Sequence, residues 1–327
     1  MAKHKVAVTD FGIEEIDVEK RILEPLGCEV VGPLRPPESK NEQKLSELVK
    51  DADYVITQFS PVTAAVVGAM QKSRIIVRYG IGVDNVDLKV AAAKNIPVCN
   101  VPDYCIDEVA DSAMAMILDL VRKISAHAFL IRSGKWELAV PLKELFVLNE
   151  MTVGIVGFGR IGRAVAARLK PFRAKVVVFD PVVDAAAVKA EGCTPVSFDE
   201  LLQTSDLVTL HCPSNDKTKQ MMNAETFGKM KKGAMLVNTS RGTLVKTDDL
   251  VAALESGQIS AAAVDVTDPE PINMDSPLVK MDNVIINPHL ASASPGAVFK
   301  LRTSVANIVA MAIKGRKLPN IVNGVKQ

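Results

Sequence analysis

An excess of charge of either sign is missing from this chain. Its 39 Lys and Arg face 38 Asp and Glu, a formal net charge of +1 over 327 residues. Proteins built for nucleic acid or anionic lipid carry a basic excess, so neither is expected as a partner. Aromatic residues are few as well, 4% of positions with a single Trp. That fits a core in which Val, Ile and Ala pack helices on both faces of a sheet. The five cysteines, at 28, 99, 105, 193 and 212, form no C-x-x-C pair and leave one over. Reduced, buried thiols are expected rather than a disulfide framework. No run approaches the roughly 18 apolar residues of a membrane span. The apolar stretch at 6–8 is too short for a signal-peptide core and reads as a first strand. A soluble, cytoplasmic protein is expected. The histidines, at 4, 127, 211 and 289, are widely separated and form no H-E-x-x-H, so no metal site is expected. No G-x-S-x-G elbow for a serine hydrolase occurs either.

What is present is alternation. Short β-branched runs (5–8, 54–57, 75–78) alternate with amphipathic or Ala-rich stretches (13–26, 64–70), the pattern of βαβ units around a parallel sheet. An extended, proline-bracketed segment at 97–102 suggests a boundary near residue 100. After it a helix is predicted from an Asp107 cap to Ser133, with Gly134 as its stop. A second series places strands at 152–156, 175–179, 207–210, 234–237, 261–264 and 284–286, the size of one doubly wound nucleotide domain. A last helix over 294–314 cannot fold alone and should pack on the first domain.

The segment 152–169 holds G-x-G-x-x-G between a strand and a helix. Gly157 permits the tight turn, Gly159 lets a pyrophosphate approach the backbone, and Gly162 lets helix and strand pack closely. The next strand ends in Asp180, 18 residues after Gly162, where a carboxylate can accept bonds from ribose hydroxyls. The motif is no P-loop, because Arg163 and Ala164 stand where Lys and Ser or Thr are required. Downstream, three strands end in polar groups: Arg241, the acids Asp265, Asp268 and Glu270, and His289. Ligands of open α/β sheets bind outside the carboxyl ends of the strands, so all three groups should face the dinucleotide.

With these residues in this order, and with Arg78-Tyr-Gly-Ile-Gly-Val-Asp84 upstream, the chain closely resembles the D-isomer-specific 2-hydroxyacid dehydrogenases over essentially its whole length. Through the stretch from Asn100 to Asp111 it is most similar to the branch of C-terminal-binding-protein-like dehydrogenases. The resemblance implies two doubly wound α/β domains, a Rossmann NAD-binding domain (102–289) inserted in a flavodoxin-like substrate domain (1–101 and 290–327). It implies hydride transfer between NAD(H) and C2 of a small D-2-hydroxy or 2-oxo acid, with hydroxypyruvate or glyoxylate favoured. Arg241 would hold the carboxylate and polarise the carbonyl. His289 would exchange the proton, and Glu270 would orient it and favour its protonated form. Backbone N–H groups of Tyr79, Gly80 and Ile81 would cradle the substrate carboxylate. The cofactor would meet Val109, Arg160, Ile161, Asp180, Cys212, Pro213, Thr218, Thr239, Ser240, Arg241 and Asp265, the last bonding its carboxamide. A homodimer through the cofactor domains is implied as well.

Two points stay open at this level. Arg78 either reaches the far end of the substrate or forms a structural ion pair with Asp84 or Asp103. The alternative function is an NAD-sensing corepressor-like scaffold with little turnover, although Ser292 stands where that branch usually has Trp.

Overall fold

The computed structural model describes residues 4–12 and 15–326. The chain divides into two compact units, Met1–Tyr104 with Ser294–Gln327, and Cys105–Ala293. The crossings therefore fall three and four residues beyond the expected positions.

The first unit runs β1 (His4–Val8), α1 (Asp17–Leu23), β2 (Cys28–Val31), α2 (Glu42–Val49), β3 (Tyr54–Thr57), α3 (Ala64–Ala69), β4 (Ile76–Arg78), α4 (Leu88–Ala93) and β5 (Val98–Cys99). Its strands are all parallel, in the order β2-β1-β3-β4-β5, which is the flavodoxin-like arrangement. Side chains alternate across it. Val6, Val8, Tyr54, Ile56 and Val77 join one core, and Ala7, Val55 and Ile76 join the core on the other face, with α2 and α3. A sheet covered on both sides needs such unbroken apolar runs.

The second unit opens with α5 (Ile106–Arg122) and α6 (Ile124–Arg132). It continues through β6 (Thr152–Val156), α7 (Arg160–Leu169), β7 (Lys175–Phe179), α8 (Ala185–Ala190), β8 (Thr194–Pro195) and α9 (Phe198–Thr204). Next come β9 (Leu207–Leu210), α10 (Ala224–Lys229), β10 (Ala234–Asn238), α11 (Thr247–Glu255), β11 (Ile259–Val264), α12 (Pro277–Lys280) and β12 (Val284–Ile286). The parallel sheet has the order β12-β11-β10-β9-β6-β7-β8. From β8 to β11 this is the Rossmann order 3-2-1-4-5-6, with β12 added at the edge. Seven strands replace the expected six, because β8 has two residues and no alternation for a sequence reading to detect.

Two helices differ from expectation. The predicted helix over 13–26 is α1 followed by a 3-10 turn at Glu24–Leu26, stopped by Gly27 in the left-handed region (φ 80); residues 13 and 14 lie outside the described residues. The predicted helix over 107–133 is two helices. Lys123 adopts φ 56, and Asp119 caps the second helix by accepting the Ser125 N–H at 2.8 Å and the Ser125 hydroxyl. Asp107 is no cap. The cap position is Cys105, and Asp107 pairs with Arg168 at 2.8 Å.

The chain re-enters the first unit in α13 (Pro295–Ile313), capped by the Ser294 hydroxyl. By length and composition α13 is apolar enough to cross a membrane, which the run-counting above missed because Lys300 and Arg302 interrupt it. Here Leu301, Val305, Ile308 and Val309 are core residues beside Leu23 of α1. Arg302, also buried, ties the two helices together. It donates to Glu19 at 2.7–3.2 Å, to Asp17 at 2.7 Å and to the Glu15 carbonyl at 2.9 Å, and it lies over the Phe11 ring. Removing one member of a buried pair strands the other, at a cost of about 3–5 kcal/mol. Arg302→Leu should therefore destabilise the protein by about that much in urea unfolding, and Glu19→Leu/Arg302→Leu should lose less than the sum of the single changes. Additive losses would mean that the pair is not coupled.

Candidate active site

The glycine turn after β6 is built as the spacing requires. Gly157 has φ 94, and a side chain there would meet the His211–Cys212 backbone at 2.7 Å. At Gly162 a Cβ would lie 2.1 Å from the Gly157 carbonyl oxygen, so helix and turn touch. Gly159 faces open space and precedes the free N–H groups of α7. Asp180, at the end of β7, reaches back into this turn: its carboxylate accepts from Phe158 N–H at 2.7 Å and from Val182 and Val183 N–H at 2.8 and 3.0 Å. Partial burial pushes its pKa up, but the three N–H groups and nearby Arg163 outweigh that and hold the carboxyl below its usual range. The acid thus organises the turn as well as standing where a ribose is expected.

On the other side of β6 the loops after β9 and β10 are laced together. Ser240 donates its hydroxyl to the Leu210 carbonyl at 2.7 Å, and Ser214 and Thr243 hydroxyls meet at 2.8 Å. Thr218 donates to the Pro213 carbonyl, and Cys212 packs beside Met221. Thr239 is buried, and its hydroxyl has no partner among the described residues. An open glycine cradle at a helix N-terminus, a carboxylate at the next strand end and a buried hydroxyl still seeking a partner are the features that a bound dinucleotide would satisfy. Arg160 and Ile161 lie in the first turn of α7, and Val109 is buried in the first turn of α5.

The three polar groups downstream converge. Asn238 at the end of β10 shapes the next turn, donating to the Arg241 carbonyl and accepting the Ser240 N–H. Gly242 allows that turn to press on the loop after β11, where a Cβ would lie 2.0 Å from the Thr267 carbonyl oxygen. Glu270 on that loop meets His289 Nδ1 at 2.5 Å. Partial burial opposes ionisation of Glu270, but His289 and then the Thr267 N–H and Arg241 charge hold its carboxyl below the usual range. Arg241 itself is braced by a bond to the Ser240 carbonyl at 2.7 Å. An acid, an imidazole and a guanidinium brought together at neighbouring strand ends can bind a carbonyl compound and pass it a proton.

Asp265 has a structural role beyond the one expected. It is 1% exposed, and its two oxygens accept Leu290 and Ala291 N–H, each at 2.8 Å, while its carbonyl takes the His289 N–H. Burial raises its pKa against the pull of those two donors and of His289. It anchors the backbone that carries His289.

In the first unit the turn at 79–81 is also partly committed. Tyr79 N–H donates to the Thr57 carbonyl and Gly80 N–H to the Arg78 carbonyl. Of the three expected donors, Ile81 N–H alone has no acceptor among the described residues. Asn100 fixes this peptide by donating to the Ile81 carbonyl at 2.6 Å, a role the sequence did not suggest although Asn100 lies inside a quoted motif. Asp10, likewise unforeseen, accepts Gln58 and Phe59 N–H at 3.0 and 2.6 Å. Arg78 neighbours the Phe59 ring, with 5.7 Å from guanidinium carbon to ring centre, and lies against Gly80, its Nη1 only 1.5 Å from where a Cβ would stand.

Comparison with known proteins follows the same lines. The family profile described as D-isomer specific 2-hydroxyacid dehydrogenase, NAD binding domain, matches residues 114–291. The chain is 38% identical over 291 residues to glyoxylate reductase of Korarchaeum cryptofilum, covering 88% of this chain and 87% of that protein. It is 34% identical over 328 residues to hydroxypyruvate reductase of Blautia hydrogenotrophica, covering 98% and 99%. The crystal structure of D-lactate dehydrogenase from Aquifex aeolicus, complexed with NAD and lactic acid, superposes with a TM-score of 0.85 at 29% identity, covering 95% of this chain and 96% of that one. Against D-3-phosphoglycerate dehydrogenase of Archaeoglobus fulgidus, the chain spans only 53% of the relative's length.

The glycines separate folding from binding. Gly159→Ala has φ −73 and nothing within 4 Å of its new methyl. It should leave the urea midpoint unchanged and weaken NADH binding about tenfold or more, read by fluorescence titration. Gly162→Ala, colliding with the Gly157 carbonyl, should lower the midpoint itself. Unchanged NADH affinity in Gly159→Ala would remove Gly159 from the cradle.

Proposed function

The chain belongs to the D-isomer-specific 2-hydroxyacid dehydrogenase family and is an NAD-linked oxidoreductase of 2-oxo and 2-hydroxy acids; from that premise we propose that it reduces a small polar 2-oxo acid, of the glyoxylate or hydroxypyruvate kind, at the pocket of Arg241, Glu270 and His289. The observation that carries this reading is the 2.5 Å contact between Glu270 and His289 Nδ1.

Bound NAD supplies or accepts the hydride; Gly157, Gly159, Gly162, Arg160, Ile161, Asp180 and Thr239 would hold it. The rest falls to the protein's side chains. Arg241 binds the substrate carboxylate and draws electron density onto the carbonyl oxygen as negative charge develops there. With Nδ1 on Glu270, His289 passes its Nε2 proton to that oxygen in reduction and takes it back in oxidation. Glu270, its carboxyl held below the usual range against partial burial chiefly by its bond to His289, faces the imidazole as an anion and orients it. Asp265 positions His289 through the backbone. In the first unit, Ile81 N–H is the donor assigned to the carboxylate. Arg78, stacked near Phe59, is assigned to the distal polar group, and the relatives named for glyoxylate and hydroxypyruvate support a short substrate.

The reading also includes a homodimer and a cytoplasmic location. None of the residues of α6 is buried, and Ile124, Phe129, Trp136 and Leu142 are 59–92% exposed, apolar surface of the kind an interface would use. A second copy would cover it.

NADH oxidation across glyoxylate, pyruvate, hydroxypyruvate and a phosphorylated 2-oxo acid tests the chemistry. His289→Ala should lower kcat/KM at least about a hundredfold, and Arg241→Ala similarly. Glu270→Gln should cost less. Near-normal turnover of His289→Ala would sink the mechanism. Arg78→Leu should cost hydroxypyruvate about 1–3 kcal/mol of transition-state binding and leave pyruvate nearly unchanged; equal losses would make Arg78 structural.

Sedimentation tests the dimer. The 35.1 kDa chain should sediment at twice its mass, and Phe129→Glu/Trp136→Glu, both at exposed sites, should shift it towards the monomer. A wild-type monomer at micromolar concentration would end that part of the reading.

A further inference from the structure

At the far end of α13 from its Ser294 cap, a cavity of about 540 Å³ opens in the first unit, lined by Arg74, Arg316, Lys317, Ala312, Gly315 and Leu318. Three of those six residues are cations and none is an acid. We propose that this cavity binds a small phosphorylated anion, at a site separate from the hydride-transfer pocket and independent of how that pocket is read.

The first argument is that the cations are not occupied elsewhere. Among the described residues, no ion pair joins Arg74, Arg316 or Lys317 to a carboxylate. Asp53, whose carbonyl accepts the Arg74 N–H at 2.8 Å, and Asp51 beside it are already taken: Asp51 by Lys5 at 2.6 Å, and the Asp53 carboxylate by the Lys5 N–H at 2.8 Å and Lys72 at 3.5 Å. Basic side chains after a helix usually serve its last carbonyls, but here those carbonyls are satisfied by the backbone. Lys314, Gly315 and Arg316 N–H donate to Ala310, Ala312 and Met311. The side chains of Arg316 and Lys317 are therefore not needed as caps.

Arg74 has a polar neighbour in the core. Tyr54 is fully buried at the start of β3, edge-on to the His4 ring with 5.7 Å between centroids, and its hydroxyl lies near the Arg74 guanidinium. Burial makes that phenol reluctant to ionise, and the Arg74 charge is the chief influence working against this, so hydroxyl and guanidinium share one corner. Leu318, buried in the same core as Tyr54, makes an apolar wall with Ala312.

The chemistry selects the ligand. Two guanidinium forks and one ammonium on a single rim match the several oxygens of a phosphoryl group better than a lone carboxylate. The volume lies in the range of small-molecule sites, and the apolar wall leaves room for a carbon skeleton.

Calorimetric titration with inorganic pyrophosphate decides the matter. It is run on the full chain saturated with NADH, so that the cofactor cradle is filled. Wild type should bind, and potassium chloride at equal ionic strength should not reproduce the heat. Arg316→Ser/Lys317→Ser should bind at least about tenfold more weakly, as loss of charge-assisted bonds requires. Arg74→Gln, a single exposed change, should weaken binding by a smaller factor and serves if the double variant folds poorly. Turnover of both variants should stay at the wild-type level. Wild-type affinity in the variants would place the pyrophosphate elsewhere and overturn the proposal. So would equal heats with chloride, or equally tight binding of citrate.

Discussion

Parallel pairing is the constraint on which both units depend. A parallel sheet cannot be closed by hairpins, so every strand is followed by a crossover, and both faces must be apolar to receive the helices. The polar chemistry is then driven off the faces and onto the turns at the carboxyl ends of the strands. Asp180 after β7, Arg241 after β10, Asp265 and Glu270 after β11, and His289 after β12 all sit in such turns. The convergence of an acid, a base and a cation is thus a product of topology, and the packing of Val153, Val237 and Ala263 in the core below sets their register.

The same device recurs at three strand ends. Asp10, Asp180 and Asp265 each turn a carboxylate back onto the N–H groups of a neighbouring loop. Two or three donors on one acid fix a loop more rigidly than apolar contact, because each bond is directional and charge-assisted. The loops so fixed carry Phe59 beside Arg78, the glycine turn, and His289. Precision at the candidate site comes from anions that have no part in the chemistry themselves.

Much of this was legible in the sequence. Alternation of short apolar runs and helices gave both sheets, and the order glycine turn, helix, strand, acid gave the cradle. Arg241, Glu270 and His289 could be picked out because each follows an apolar strand. The break at Lys123 was hidden: no Gly or Pro marks it, and the left-handed residue is held by Asp119 capping Ser125, an interaction visible only once the chain has turned. The commitments of Asp265 and of the Tyr79 and Gly80 N–H groups were hidden for a related reason. Sequence reveals which donors and acceptors exist, but not which of them the backbone has already claimed.

The double duty of Asp180 bears on how this protein can evolve. In many dinucleotide enzymes a single exchange at the acid after the second strand is the obvious first step towards the phosphorylated cofactor. Here that acid also holds the Phe158 amide of the glycine turn and two amides of the following loop. Any replacement that welcomes a 2′-phosphate removes the acceptor that keeps the pyrophosphate cradle in shape. A lineage changing that acid would need to rebuild the 181–183 loop so that it stands without the carboxylate, and the backbone thereby ties the identity of residue 180 to the shape of the turn.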